Sequence, residues 1–356
     1  MCRFAQRLPR LSQGHPKLKN MKSFIRLSEN ERLFIAGATH NASTSAKELA
    51  RRLGIREHQV RRIRDSLIQR EILKPIYLVD TYRLGYTDFR VFLSGIASPS
   101  KTRMAFEKRV ENYPLVYWFA KLTGSYQYAL TFLAKDPSDM ISFFPAMQPR
   151  PVGLSALKTI AIAGDWSIFT PNYLAPRAQD RSGHTMTSKE RVGPLEPQDI
   201  LILETISKNP AITTTGLARL TGIAATSLSY RLDKLAALKV IRGQVYLLNA
   251  PLVGISTFRI TIVEKGLSPT ARERLRRYMA SHPNVCAVLS CAGSFDFEVR
   301  FECMDPEQVE DFVQSIIDDF GDEIGAIEVS QQLRTLKRIS YPYSTTGGRE
   351  LTTAER

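Results

Sequence analysis

The sequence predicts an α+β protein made of two copies of one module, each a helix-turn-helix followed by a βαββαβ unit. Three observations support this. Leu217 to Ile241 reads as a short helix, a turn at Gly222 and a second helix, with Leu228, Leu232, Leu235 and Leu238 spaced as one buried stripe. The same pattern occurs at Leu49 to Leu73, with L-A-R and G-I in both copies and Gly54 and Gly222 lying 168 residues apart. Beyond the helices, Gly85 and Gly254, Pro114 and Pro283, and Asp136-Pro137 and Asp305-Pro306 repeat at an offset of 169. Landmarks that keep their spacing over so long a span mark a duplicated module.

The totals agree. A chain of 356 residues has room for two modules with their own cores, and 43% hydrophobic residues fit a soluble protein. No run is long enough for a membrane span. A net charge of +14 points to a polyanionic partner without distinguishing nucleic acid from an anionic membrane. Cys2, Cys286, Cys291 and Cys303 show no metal-ligand spacing, so reduced thiols in a cytoplasmic, nucleoid-associated protein are expected, with no metal and no cofactor. Cys286 and Cys291 differ by an odd number on an expected strand and should face opposite sides.

In chain order, residues 1–27 are basic, with seven arginines and lysines and no acid. Three readings stand for them: a transit peptide, a DNA-contacting arm, or sequence upstream of a functional start at Met21. The first helix-turn-helix spans 28–80, where Ser28 and Glu31 form a capping box and Leu33, Phe34 and Ile35 open the buried side. A βαββαβ unit follows over 81–169: strand at Asp88–Ile96, helix at Thr102–Val110, strands at Val116–Leu122 and Tyr128–Ala134 joined at Gly124-Ser125, a helix opened by Asp136-Pro137, and a strand at Ser155–Ala163. That order is ferredoxin-like. Residues 170–194, rich in Pro and Gly, read as a linker. The second helix-turn-helix covers 195–249, with Thr213 capping its middle helix. The second ferredoxin-like unit covers 250–341, and a polar tail, 342–356, is expected to be disordered.

The two recognition helices supply the candidate DNA contacts. In the first, Arg56, His58, Gln59, Arg61 and Arg62 give a basic face; in the second, Thr226, Ser227, Ser229, Tyr230, Arg231 and Lys234 give donors and charge beside the leucine stripe. The second helix of such a pair offers these groups to the major groove of double-stranded DNA. Arginine serves phosphates as readily as bases, so Thr226, Ser227, Ser229 and Tyr230 are the better base-reading candidates. A solvated charged face is the plain alternative.

A helix-turn-helix followed by βαββαβ, with Gly293-Ser294-Phe295-Asp296-Phe297 matching G-x-[YF]-D-[YF] and Leu228, Arg231, Leu232 and Leu235 matching V-x-x-R-[VI]-x-x-L, resembles the Lrp/AsnC (feast/famine) family of transcriptional regulators. The resemblance covers nearly all of residues 28–340, as a tandem of two modules with RAM-type domains. It implies face-to-face pairing of the ferredoxin-like domains, a homodimer or higher assembly, and a small effector, often an amino acid, near that loop. The implied effector-binding residues are Gly293, Ser294, Phe295 and Asp296, with Gly124, Ser125 and Tyr126 in the first copy. A plain hairpin turn competes with this reading. The copies depart from the family and from each other. Gln127 replaces the loop carboxylate, Ile63 and Arg64 stand where the second copy has Arg231 and Leu232, and Glu71 and Lys239 replace a glycine common after the recognition helix.

Siroheme decarboxylases resemble this architecture too, as fused pairs, but carry histidines where this chain has Tyr117-Trp118-Phe119 and Cys286-Ala287-Val288. With histidine scarce and no acid/base pair evident, the sequence reads as a regulator and not an enzyme, with the decarboxylase as the alternative.

Overall fold

The computed structural model describes residues 24–94, 99–147, 157–175 and 183–343. The first three-helix unit is α1 (Glu29–Ala38), α2 (Ala46–Leu53) and α3 (Glu57–Gln69). Its start is the expected capping box: Ser28 Oγ accepts from the Glu31 N–H at 3.3 Å while Glu31 Oε2 accepts from the Ser28 N–H at 2.7 Å. The second unit is α6 (Pro197–Lys208), α7 (Thr214–Thr221) and α8 (Ala225–Ala237), with Thr213 capping α7. Gly54 and Gly222 take the left-handed conformation, φ 67° and 69°, where the chain turns between helices. Past the last helix of each unit, Glu71 and Lys239 are also left-handed, at φ 55° and 56°.

Strands β1 (Leu73–Val79) and β7 (Ile241–Leu248) leave the two units and pair antiparallel with each other, from Leu73 opposite Leu248 to Val79 opposite Ile241. The βαββαβ units are β2 (Thr87–Ser94), α4 (Ser100–Asn112), β3 (Val116–Gly124), β4 (Tyr128–Ala134), α5 (Pro137–Met147) and β5 (Leu157–Phe169), then β8 (Ser256–Glu264), α9 (Pro269–Ser281), β9 (Val285–Gly293), β10 (Phe297–Cys303), α10 (Glu307–Phe320) and β11 (Ile324–Arg338). Their sheets join at both edges, β3 to β11 and β9 to β5, and β5 also pairs with β2. The eight strands therefore form one closed antiparallel ring that leaves no free edge within it.

Alternation along the strands sends one set of side chains outward and one inward. Outward residues of the first unit, Val91, Val116, Phe119 and Phe132, pack under Phe106, Val110 and Phe143 of α4 and α5. Those of the second, Ile260, Val299 and Phe301, pack under Leu275, Met279, Phe312 and Ile316 of α9 and α10. The inward set includes Phe92, Leu122, Tyr126, Leu289 and Phe295. The helical units exchange support as well. The core of the first includes Tyr246, Val253 and Ile255, while that of the second includes Ile76, Leu78 and Val79.

The expected linker differs from the structure. A short 3-10 turn at Asn172–Leu174 and strand β6 (Gly183–Thr187), paired with Asp165–Phe169 of β5, occupy part of 170–194. Leu174 sits in the core of the first helical unit, so the part of this stretch around it is packed rather than spacer. The basic stretch up to residue 23 and the tail from residue 344 lie outside the described residues. Cys286, Cys291 and Cys303 are buried free thiols.

Candidate nucleic-acid interface

Helix α8 is held by Leu228 and Leu235, both fully buried against Ile202, Leu203, Ile206 and Leu217. That leaves Thr226, Ser227, Ser229 and Tyr230 in the solvent at its first turns, with Tyr230 70% exposed. The amphipathic split places short hydroxyl groups and one phenol where a duplex could approach.

Arg231 and Lys234, expected on that DNA-facing surface, are placed otherwise. Arg231 is only 15% exposed; its guanidinium donates to Asp199 at 2.8 Å and to Glu196 at 2.9 Å. Lys234 Nζ reaches Glu196 at 2.8 Å and Asp199 at 3.5 Å. Asp199, in the first turn of α6, is fully buried and needs a cation to offset its desolvation. Lys234 and Arg231 in turn hold the Glu196 carboxyl below its ordinary value. The two cations thus brace α8 against α6.

On α3, Arg56, His58, Arg61 and Arg62 are exposed. Gln59 is half-buried and its Oε1 accepts from the Arg56 N–H at 3.1 Å, closing the start of the helix. Arg61 pairs with Glu57 one turn back. Both units present a helix face that water reaches, more basic in the first and more hydroxylated in the second.

The two G-S-[YF] loops sit at the seams of the strand ring. A Cβ on Gly124, at φ 108°, would stand 2.7 Å from Val329 O; one on Gly293, at φ 136°, would stand 2.7 Å from Ile160 O. Glycine at both positions lets each hairpin lie against the last strand of the other unit. Ser294 exchanges bonds with Ile160, and Tyr126 N–H donates to Ser330 Oγ at 3.0 Å. Tyr126 and Phe295 are buried around Phe92, at ring separations of 4.9 Å and 5.5 Å. Asp296 Oδ2 accepts from the Glu264 N–H at 2.9 Å, and Arg272 lies 3.6 Å from its Oδ1. Gly124, Ser125, Gly293 and Ser294 remain exposed on the rim.

The sequence reading missed an ionic cluster inside the ring. Arg90 donates to both Glu298 oxygens at 2.6 Å, and Arg259 donates to Glu298 Oε1 at 3.2 Å and to Gln332. Both guanidiniums lie over Trp118, at 5.0 Å and 4.3 Å from the ring centre. Burial opposes ionisation, but Arg90 and Arg259 hold the Glu298 carboxyl below its ordinary value. One signal was available: Arg90 and Arg259 fall at the 169-residue repeat offset, each between two apolar neighbours, Phe89 and Val91 in one strand and Phe258 and Ile260 in the other. Among the described residues, no His, Cys, Asp and Glu cluster could hold a metal ion, and no helix is long and apolar enough to cross a membrane.

Residues 195–242 match the winged helix-turn-helix DNA-binding family. The chain is 27% identical over 129 residues to an HTH-type transcriptional regulator of Pyrococcus furiosus, which covers 35% of this chain and 82% of the relative. Among solved structures, the siroheme decarboxylase NirDL is similar at 12% identity and a TM-score of 0.51, over 89% of this chain and 94% of that one. An AsnC family transcriptional regulator from Agrobacterium tumefaciens is 22% identical with a TM-score of 0.36, over 43% of this chain and 95% of that one. The NirDL likeness is one of fold and corrects the expectation that this chain is not an enzyme, because a protein with this layout along almost its whole length is one. Over residues 195–242 the chain matches the winged helix-turn-helix DNA-binding family, and over 129 residues it is similar to an HTH-type transcriptional regulator.

Proposed function

We propose that this chain is a sequence-specific transcriptional regulator whose two three-helix units, as tandem helix-turn-helices, address double-stranded DNA. The observation that supports this most is α8: within the matched family segment, it leaves Thr226, Ser227, Ser229 and Tyr230 open to solvent while Leu228 and Leu235 are sealed. Arg56, His58, Arg61 and Arg62 of α3 supply the complementary electrostatic attraction, suited to phosphates. The β1–β7 ribbon sets the spacing between the two reading helices. A small effector, an amino acid by the family resemblance, would meet the exposed Gly-Ser backbone of the Gly124 and Gly293 loops. Bound there, it would bias the seam between sheets, and self-association through the ferredoxin-like units would multiply the DNA contacts. The test is selection of duplex fragments by the purified protein, with and without an amino-acid pool. Enrichment of a common sequence supports the reading, and recovery of no preferred sequence contradicts it.

A second reading follows from the NirDL likeness, whose co-complex holds an iron-uroporphyrin III analogue. The seam between the sheets is lined by arginines, which suit the carboxylates of a tetrapyrrole, but the recess there is ≈ 30 Å³, far smaller than a macrocycle. Tetrapyrrole binding would therefore require the sheets to part. A Soret shift with added iron tetrapyrrole, accompanied by decarboxylated product, would favour this reading over regulation.

A further inference from the structure

The recess inside the strand ring has an excess of buried positive charge. Arg90, Arg259, Arg300 and Arg338 line it together with Trp118 and Trp166. Glu298 is shared by Arg90 and Arg259, and Glu302 Oε1 lies 3.4 Å from Arg300 Nε. Arg338 has no ion pair among the described residues, and the buried Nε atoms of Arg300 and Arg338 both lack a hydrogen-bond partner. Asp88, the remaining acid in the lining, compensates little: burial, with Glu298 adding to it, pushes its carboxyl up to about 7, and its Oδ1 is also unbonded. Burial likewise depresses Arg259 to about 9. Four guanidiniums share two carboxylate partners, Glu298 and Glu302, and such an excess of buried positive charge is costly unless an anion completes the set.

We propose that this recess is a binding site for a compact oxyanion, a carboxylate or an inorganic sulfate- or phosphate-type group. Arg300 and Arg338 are its direct ligands, and Arg90 and Arg259 supply the surrounding positive field. Guanidinium forks match such oxygens in pairs, and the volume of ≈ 30 Å³ admits a single small head group. The site is separate from the Gly124 and Gly293 loops and does not rest on the DNA reading.

Its position gives it a second consequence. Arg338 ends β11, and the next residue, Ile339, donates its N–H to Tyr117 O at 3.0 Å. Ser340 and Tyr341 then donate their N–H groups to Ser207 Oγ of α6, at 3.1 Å and 2.9 Å. An anion that fixes Arg338 also fixes the segment on which the second helical unit rests.

The chain has two tryptophans, and both line the recess, so intrinsic fluorescence reports on it directly. The full chain is titrated with sulfate, phosphate and succinate against chloride at constant ionic strength. A saturable emission change with at least one of the three is expected, and which one assigns the inorganic or the carboxylate source. Arg338→Gln and Arg300→Gln should each raise the half-saturation concentration about tenfold or more, the loss of a charge-assisted hydrogen bond. Arg274→Gln, on the exposed outer face of α9, should leave it unchanged. Arg338 has no ion pair to lose, so its variant tests the site even if Arg300→Gln misfolds, as far-UV circular dichroism would show. A change no larger than chloride produces, or equal half-saturation in wild type and Arg338→Gln, overturns the proposal.

Discussion

At the scale of single residues, the chain stores strain in two equivalent places. Glu71 and Lys239 follow α3 and α8 with φ 55° and 56°, a region that costs a side-chain-bearing residue on the order of 1 kcal/mol relative to glycine. Glu71→Gly and Lys239→Gly should each raise the urea midpoint without changing the slope, by about 1 kcal/mol less the extra chain entropy of glycine. Two buried titrating groups act in opposite directions. Burial, then Arg300 and His184, hold His40 down to about 3, so stability it contributes at neutral pH is lost as pH falls below about 6.5. Asp88, pushed up to about 7, does the reverse: its contribution is complete below about 4 and is lost as pH rises toward 7. Between about pH 4 and 6.5 the two slopes, each up to roughly 1.4 kcal/mol per pH unit, cancel, so wild-type stability should be nearly flat there. Asp88→Asn should make stability rise with pH across that window and His40→Gln should make it fall, as denaturant midpoints at several pH values would show. Parallel profiles for wild type and both variants would refute the assignment.

At the scale of elements, α8 divides its side chains between two tasks, and substitutions should separate them. Arg231→Ala strips Asp199 of its closest cation and should lower the denaturant midpoint while leaving DNA affinity within about threefold. Tyr230→Ala should do the opposite, weakening DNA binding about tenfold or more with no change in midpoint. The leucine stripe, the glycine turns and the caps at Ser28 and Thr213 were legible because they act within a few residues of sequence. The role of Arg231 was not, because a polar helix face looks the same whether its arginine meets water, phosphate or an aspartate 32 residues away. Strand β6 was hidden for a similar reason. Gly183 to Thr187 has little apolar periodicity, and it is a strand because β5 offers it an edge. The arginines inside the ring sit in strands whose inward face is defined only once the second sheet is in place.

At the scale of the whole molecule, neither copy is complete alone. The ring closes only through the β3–β11 and β9–β5 pairings, and each helical unit borrows core residues from the other copy. Unfolding should therefore be one transition, with tryptophan emission and far-UV circular dichroism coincident; two separated transitions would mean independent modules. The duplication was readable from the constant residue offset, whereas the interlocking was not, since an offset says nothing of which strand pairs with which. A joined pair of helical units matters if both meet one duplex. The most direct test of that is fluorescence anisotropy of a protein-selected duplex across a salt series, with wild type and a Thr226→Ala/Tyr230→Ala variant. The account predicts affinity that falls steeply and linearly in log–log form with salt, and a loss of about tenfold or more in the variant. Salt-insensitive binding, or equal affinity for the two proteins, would contradict it.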